Sequence, residues 1–232
     1  MKEIHDRAVL HAFIENSCLH ELFDAAAIRE MHLYQAEKGE LLCAKGDVLQ
    51  HMYFVVEGKI KIFTTLPNGK SLLLRFNNPL AIIGDVEFVT RLEARNTVEF
   101  VHPGKLIALP FKVLHERYQN HPGFLQFTLQ KISHKLYTSS NSTSLNLLYP
   151  VENRFASYLL STLEGGTQPT ASDELKTAKL TEVAELLGTS YRHLNRVIQS
   201  MSASGIIERK RGALHIRNRK KVVELASGNI YE

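Results

Sequence analysis

The chain has 232 residues, 44% of them hydrophobic and 22% charged, with a net charge of +4. That balance belongs to a globular protein able to form a core, and the length suits two domains of roughly 100 to 150 residues better than one. No run nears the roughly 18 apolar residues that span a bilayer, and the opening MKEIHDRAVLHAF carries charge where a signal peptide would be apolar, so no membrane partner and a cytoplasmic location are expected.

Only Cys18 and Cys43 are present, too few for a disulfide framework, a CxxC zinc site or the four thiolates of an iron-sulfur cluster. Two idle thiols are the expectation.

Residues 6 to 34 show a weak, irregular helical period. From Gln35 to Leu109 the pattern changes to short alternating runs broken by turn signals, which predicts β structure. Its clearest part is MYFVVEGKIKIFTTL, then Pro67-Asn68-Gly69, then KSLLLRF, two strands joined across an Asn-Gly pair. Glu57-Gly58, Asn77-Asn78-Pro79 and Pro103-Gly104 read as further punctuation. Many short, evenly spaced strands imply a double-sheet jelly roll or barrel.

After Leu109 the helical period returns. A long helix beginning near Pro122 places Leu125, Leu129, Ile132 and Leu136 four, three and four residues apart, the spacing of a short coiled-coil seam. The stretch Thr138 to Ser144 is polar and suits either a linker or a polar continuation of the same helix. Pro150 fits the first turn of a new helix, VENRFASYLLSTL, and residues 164–174 form a polar loop.

The C-terminal third carries the chemistry. Between Gly188 and Lys221 lie nine Lys or Arg residues against the single acid Glu208, so a nearly neutral chain hides a strongly basic segment. Such segregation is the footprint of phosphate-backbone binding. Within it, LTEVAELL, with Thr181 as expected N-cap and the small Ala184, is followed by Gly188 and then by YRHLNRVIQSM. Leu194, Val197, Ile198 and Met201 fall on one face of the second helix, and Arg192, Asn195, Arg196 and Gln199 on the other. A small residue, a turn glycine and two such helices make a helix-turn-helix. Ile206 to Arg209 and Ala213 to Ile216 read as strands around a basic tip, Lys210-Arg211-Gly212, so the module is winged and Lys210 and Arg211 are placed to meet DNA phosphates. Asn218 is the expected cap of a last helix from Arg219 to Ala226.

A roll, a long seam helix and a winged helix-turn-helix in this order resemble the Crp/Fnr family of bacterial transcription regulators, and SYRHL at 190–194 is similar to its YeiL-type branch. The resemblance implies an α+β chain with a cyclic-nucleotide-binding-like β-roll (1–120), a dimerisation helix and hinge (121–149) and a winged DNA-binding domain (150–232). It also implies a homodimer on a pseudo-palindromic operator, with double-stranded DNA and RNA polymerase as partners. Base readers would be Tyr191, Arg192, Asn195 and Arg196, with Ser190, His193 and Gln199 near phosphates. Arg192 stands where many relatives carry Glu, and as a donor it suits guanine rather than cytosine.

The family's phosphate-binding cassette maps onto Gly84, Asp85, Arg95 and Asn96, with Ser139 and Ser140 where cyclic AMP-binding members hold adenine. Asp85 for Glu, Asn96 for Ser and the extra acid Glu87 weigh against a cyclic nucleotide and favour another small effector or none. A cupin-like metal protein or an enzyme is the rival class. No HxH pair, P-loop, nucleophile elbow or HExxH occurs, and His51, His102 and His115 stand alone, so neither metal nor catalysis is expected.

Overall fold

Alternation of buried and exposed side chains begins at His32, earlier than the sequence suggests, because a short N-terminal strand is there to pair with it. Strand β1 (Lys2–Ile4) runs antiparallel to β2 (His32–Ala36), with Glu3 opposite Tyr34. Residues 32–34, expected to be helical, are therefore strand, with Leu33 and Ala36 turned into the core. The computed structural model describes residues 1–163, 175–176, 179–226 and 231.

Between these strands lie α1 (Arg7–Asn16), a short 3-10 turn (Leu19–Glu21) and α2 (Ala25–Arg29). Each α-helix starts at an Asp whose carboxylate accepts from backbone N–H groups of the first turn: Asp6 from Ala8 and Val9, Asp24 from Ala26 and Ala27. The roll continues with β3 (Leu41–Cys43), β4 (His51–Thr65), β5 (Ser71–Asn77), β6 (Ala81–Ile83), helix α3 (Asp85–Thr90) and β7 (Thr97–Pro110).

Two strands hold the roll together because each serves more than one partner. The early part of β7 pairs with β3 and its later part with β2, while β4 pairs with β6 through residues 53–55 and lies between β7 and β5 in the sheet. Glu57-Gly58 and Pro103-Gly104, expected to break strands, are instead crossed by β4 and β7 without interruption. Glycine is needed there for close approach: a Cβ on Gly58, whose φ is +89°, would lie 2.6 Å from the Gly104 Cα and from the Pro103 carbonyl oxygen.

The chain forms two compact units, Met1–Ile62 with Asn77–Tyr137, and Phe63–Phe76 with Thr138–Glu232. The expected three-part division placed its boundaries at 120 and 149; here the division falls inside α5 (Pro122–Leu148), and the far end of the β4–β5 hairpin groups with the second unit. The first unit has an aromatic core in which Phe23 meets Phe54 and Tyr118 edge-on at 5.7 and 5.1 Å, and Phe88 meets Phe124 at 5.7 Å. Helix α4 (Phe111–Arg117) leads into α5, whose first turn is capped by the His121 ring Nδ1 accepting from the Phe124 N–H at 3.2 Å.

In the second unit α5 continues through the serine-rich stretch as helix, so the linker alternative is excluded. Thr143 and Ser144 donate their hydroxyls to the Ser139 and Ser140 carbonyls, which removes the helix-breaking competition those side chains could offer. Then come α6 (Val151–Leu163), β8 (Leu175–Lys176), α7 (Leu180–Leu186), α8 (Tyr191–Ala203), β9 (Ile207–Lys210), β10 (Ala213–Ile216) and α9 (Arg219–Ala226). The loop expected at 164–174 lies outside the described residues. Tyr231 is fully buried: its hydroxyl donates to Asn146 Oδ1 at 2.8 Å, its N–H to Ser161 Oγ, and its carbonyl accepts from the Phe76 N–H.

The Gly58 contact carries a prediction. Gly58→Ala forces both a left-handed alanine and a backbone separation, and is expected to cost at least about 2 kcal/mol, read as a lowered urea midpoint with an unchanged slope.

Candidate nucleic-acid interface and effector cassette

The turn between α7 and α8 is built from backbone bonds and one left-handed residue. Gly188 has φ of +62°, its N–H donates to the Glu185 carbonyl at 2.9 Å, and the Thr189 N–H donates to Ala184 at 2.9 Å. A Cβ at Gly188 would meet nothing nearer than 3.7 Å, so the torsion and not the space calls for glycine. Arg154 of α6 donates a guanidinium N–H to the Leu187 carbonyl, satisfying an acceptor at the end of α7. Ser190 then caps α8, its hydroxyl oxygen accepting from the His193 N–H at 3.2 Å. The cap of α7 differs from expectation. Lys179 occupies the N-cap position without a side-chain bond, and Thr181 sits inside the first turn, because the fully buried Leu180 draws the helix start forward.

Helix α8 separates its faces as its pattern implies, with one exception. Leu194, Ile198 and Met201 are buried and Val197 half-buried, while Arg192, Arg196 and Gln199 are exposed on the opposite side, with Tyr191 and His193 exposed at its flanks. Asn195, grouped with the polar face in sequence, is half-buried, and its Oδ1 is enclosed without a hydrogen-bond partner. One residue beyond Leu194 is a rotation of about 100°, which puts Asn195 at the border of the packed face.

The wing is tighter than its sequence implies. Strand β9 takes in Lys210, which stands opposite Ala213 in β10, leaving only Arg211 and Gly212 in the loop. Both have positive φ, +50° and +78°, the arrangement of a type I′ hairpin that suits strand twist. β8 adds a third strand beside β10 through Leu175 and Lys176, a pairing that two residues after a polar stretch do not announce. Glu208 forms an ion pair with Arg217 at 2.5 Å, and the two line a cleft of about 330 Å³ with Lys210, Arg211, His215 and Ile216. All nine basic side chains of the segment are exposed: Arg192, Arg196, Arg209, Lys210, Arg211, Arg217, Arg219, Lys220 and Lys221. Asn218 caps α9 as expected, its Oδ1 accepting from the Lys221 N–H at 3.1 Å.

The effector cassette departs from the expected arrangement. Gly84 is left-handed (φ +95°), and its missing Cβ would lie 2.8 Å from the His51 carbonyl oxygen. Asp85, expected to face an effector, is 2% exposed and bound to Lys135 of α5 at 2.5 Å; the same ammonium donates to the Ile82 carbonyl at 2.7 Å. Its second oxygen, Oδ2, is buried without a hydrogen-bond partner. Burial, with the nearby Asp85 charge, raises the Glu87 carboxyl above the usual carboxylate value. Arg95 is exposed, and the half-buried Asn96 offers its carbonyl oxygen to the Cys43 thiol at 3.9 Å. Ser139 and Ser140 are exposed and belong to the second unit. Lys135 is the member sequence reasoning missed, because nothing links it to Asp85 until the fold brings fifty residues of chain together.

On α5 the seam residues Leu125, Leu129 and Leu136 are 44, 66 and 73% exposed, and Ile132 is half-buried. The isolated histidines serve local packing: His115 stacks on Phe88 at 4.5 Å and His51 lies 5.9 Å from Tyr53. Among the described residues no three His, Cys, Asp or Glu side chains gather as metal ligands would, and no helix is long and apolar enough to cross a membrane.

Comparison with known proteins agrees with this geometry in both halves. Residues 33–121 match the family described as "Cyclic nucleotide-binding domain", and residues 153–225 match "Crp-like helix-turn-helix domain". The chain is 26% identical over 213 residues to "Regulatory protein YeiL" of Escherichia coli O157:H7, covering 92% of this chain and 94% of that protein. It is 24% identical over 191 residues to "Cyclic AMP receptor protein" of Thermus thermophilus, covering 82% and 86%. A solved Crp/Fnr-family transcriptional regulator from the same organism shares the fold, with a TM-score of 0.68 at 20% identity over 84% of this chain and 98% of that one. With a nucleotide-binding-type roll, a Crp-like helix-turn-helix and these relatives, the chain belongs to the Crp/Fnr family of DNA-binding transcription regulators.

Proposed function

We propose that the protein acts as a cytoplasmic, non-catalytic homodimer whose two α8 helices enter successive major grooves of a pseudo-palindromic operator, with RNA polymerase as its downstream partner. The observation that carries this reading is the combination, in one C-terminal module, of a capped helix with exposed Arg192, Arg196 and Gln199 and a hairpin tip with exposed Lys210 and Arg211. Arg192 and Arg196 are the base readers, each able to donate two bonds to guanine O6 and N7. Tyr191 stands beside them. Asn195 reads a base only by turning its amide out of the border of the packed face. Ser190, His193 and Gln199 lie towards the phosphates, as do Lys210 and Arg211.

The exposed seam leucines support the dimer, since a row of large apolar side chains at heptad spacing on a helix is stabilised by a second copy of itself. Two recognition helices related by a two-fold axis then require half-sites about one helical turn apart.

For the cassette, the reading is that it does not take a cyclic nucleotide. Asp85 is held by Lys135, and the half-buried Glu87 adds a second acid beside it, so a cyclic phosphate would meet one acid already committed to a protein group and another close by. An effector of another class is compatible with the same roll.

Four outcomes are expected. Arg192→Ala relaxes the preference at one base pair per half-site, by about 1–3 kcal/mol in selection from a randomised DNA pool, whereas Lys210→Ala with Arg211→Ala weakens binding to every sequence and lowers the salt slope by about 2. Leu129→Glu yields a monomer in sedimentation equilibrium at about 10 µM and loses at least tenfold in operator affinity. Lys135→Met strands a buried carboxylate and lowers unfolding stability by about 3–5 kcal/mol, part of which Asp85→Asn in the same chain restores. Titration of the unaltered protein with millimolar cyclic AMP gives no saturable heat; a dissociation constant below about 100 µM would reverse the cassette reading.

A further inference from the structure

A second cavity lies within the first unit, where the N-terminal helical segment, the roll and α5 meet. It encloses about 380 Å³, within the range of small-molecule pockets of about 300–1,000 Å³. Its floor is apolar, formed by Leu19 and Leu22 from the N-terminal segment, Phe54 and Ile82 from the roll, and Phe127 from α5. Its lining also includes one acid and one base, Glu21 and Lys131, and no other charged side chain. The Lys131 ammonium lies over the Phe127 ring, 5.5 Å from its centroid.

The position on α5 matters. Gly123, Phe127 and Lys131 line the cavity at intervals of four residues. At about 100° per residue they fall roughly 160–240° around the helix from Leu125, on the side opposite Leu125, Leu129, Ile132 and Leu136. Pairing of two seams therefore leaves this cavity uncovered.

The charges select among occupants. A simple carboxylate would gain Lys131 but face Glu21, and a simple amine would gain Glu21 but face Lys131. A molecule carrying both charges beside an apolar body complements both, and it leaves neither protein charge opposed.

We propose that this cavity binds a zwitterionic α-amino acid with a large apolar side chain, aromatic or branched, its carboxylate at Lys131, its ammonium at Glu21 and its side chain among Leu19, Phe54, Ile82 and Phe127. The ligand bridges the N-terminal segment and α5, so the site is an effector pocket that uses none of Gly84, Asp85, Arg95 and Asn96, although Ile82 in its wall is held by the same Lys135 that pairs with Asp85.

The structure supplies a reporter for its occupancy. Cys18 lines the cavity and is exposed, whereas Cys43 is buried and burial pushes its thiol up to about 12. At about pH 8 alkylation therefore reads Cys18 almost alone.

The test uses the full chain, with no DNA, so its outcome is independent of the operator reading. L-leucine, L-phenylalanine and L-tryptophan are titrated calorimetrically and assayed for protection of Cys18 from iodoacetamide, beside N-acetyl-L-phenylalanine and L-phenylalaninamide, which each lack one charge. At least one amino acid is expected to bind saturably and slow Cys18 alkylation, with either charge-deleted analogue about tenfold weaker. Glu21→Gln and Lys131→Met, both at the edge of the cavity, are each expected to weaken binding by about tenfold with thermal midpoints unchanged. Absence of saturable binding at about 10 mM for all three amino acids would overturn the proposal, and so would binding of either charge-deleted analogue as tightly as L-phenylalanine itself.

Discussion

What α8 can present to DNA depends on a single reversal of the chain, where α7 stops and the backbone enters the left-handed region at Gly188. A residue with a Cβ resists that torsion, and a carbonyl left bare at the end of α7 would cost more still. The Arg154 guanidinium answers the second demand by donating to Leu187, so α6 acts as the brace of the helix-turn-helix as well as its neighbour. With the turn held, Ser190 caps α8, and the order of apolar and basic residues along the helix becomes a buried side and an exposed side. The basic wing follows from the same economy of backbone, since Arg211 and Gly212 close the hairpin in two residues and leave the charged tip outward.

Charge in this chain is arranged by region rather than by total. The nine exposed cations of the C-terminal segment are balanced by acids elsewhere, several of them engaged in local contacts: Asp24 with Arg117, Glu57 with Lys105, and Glu99 with the buried Lys61. Such pairing removes acids from the long-range field and leaves the basic segment as its strongest feature. Helix α5 has a comparable division. One side carries the exposed leucine seam, while Phe124 and Thr128 turn inward in the first unit and Thr138, Ser142 and Leu145 turn inward in the second. Such a division leaves the leucine seam in solvent while the opposite side of α5 is packed.

The cassette shows how a family framework can be kept while its chemistry changes. Gly84 retains the left-handed turn that lets α3 begin against the His51 carbonyl. The carboxylate that follows is one methylene shorter than the family's glutamate, and it pairs with Lys135 from the helix behind it. Glu87 supplies a second acid from within the chain, close enough to Asp85 to be raised by its charge. The protein thus holds internal charges in a region where a ligand would have to displace or tolerate them.

Sequence by itself determined those features whose cause is local. The Asn-Gly hairpin, the seam spacing of Leu125 to Leu136, the Gly188 turn, the basic segment and the cap at Asn218 each rest on residues within one or two turns of each other, and their order along the chain was enough to identify the family. Tertiary structure decided whatever depends on distant partners. Strand β1 exists because β2 is present to receive it, and β8 exists because β10 offers an edge. Gly58 and Gly104 are crossing points instead of breaks because two strands pass too closely for a Cβ. Asp85 meets Lys135, and Asn195 is drawn to the packed border, because hydrogen-bond partners and burial are set by packing between segments, which residue order does not encode.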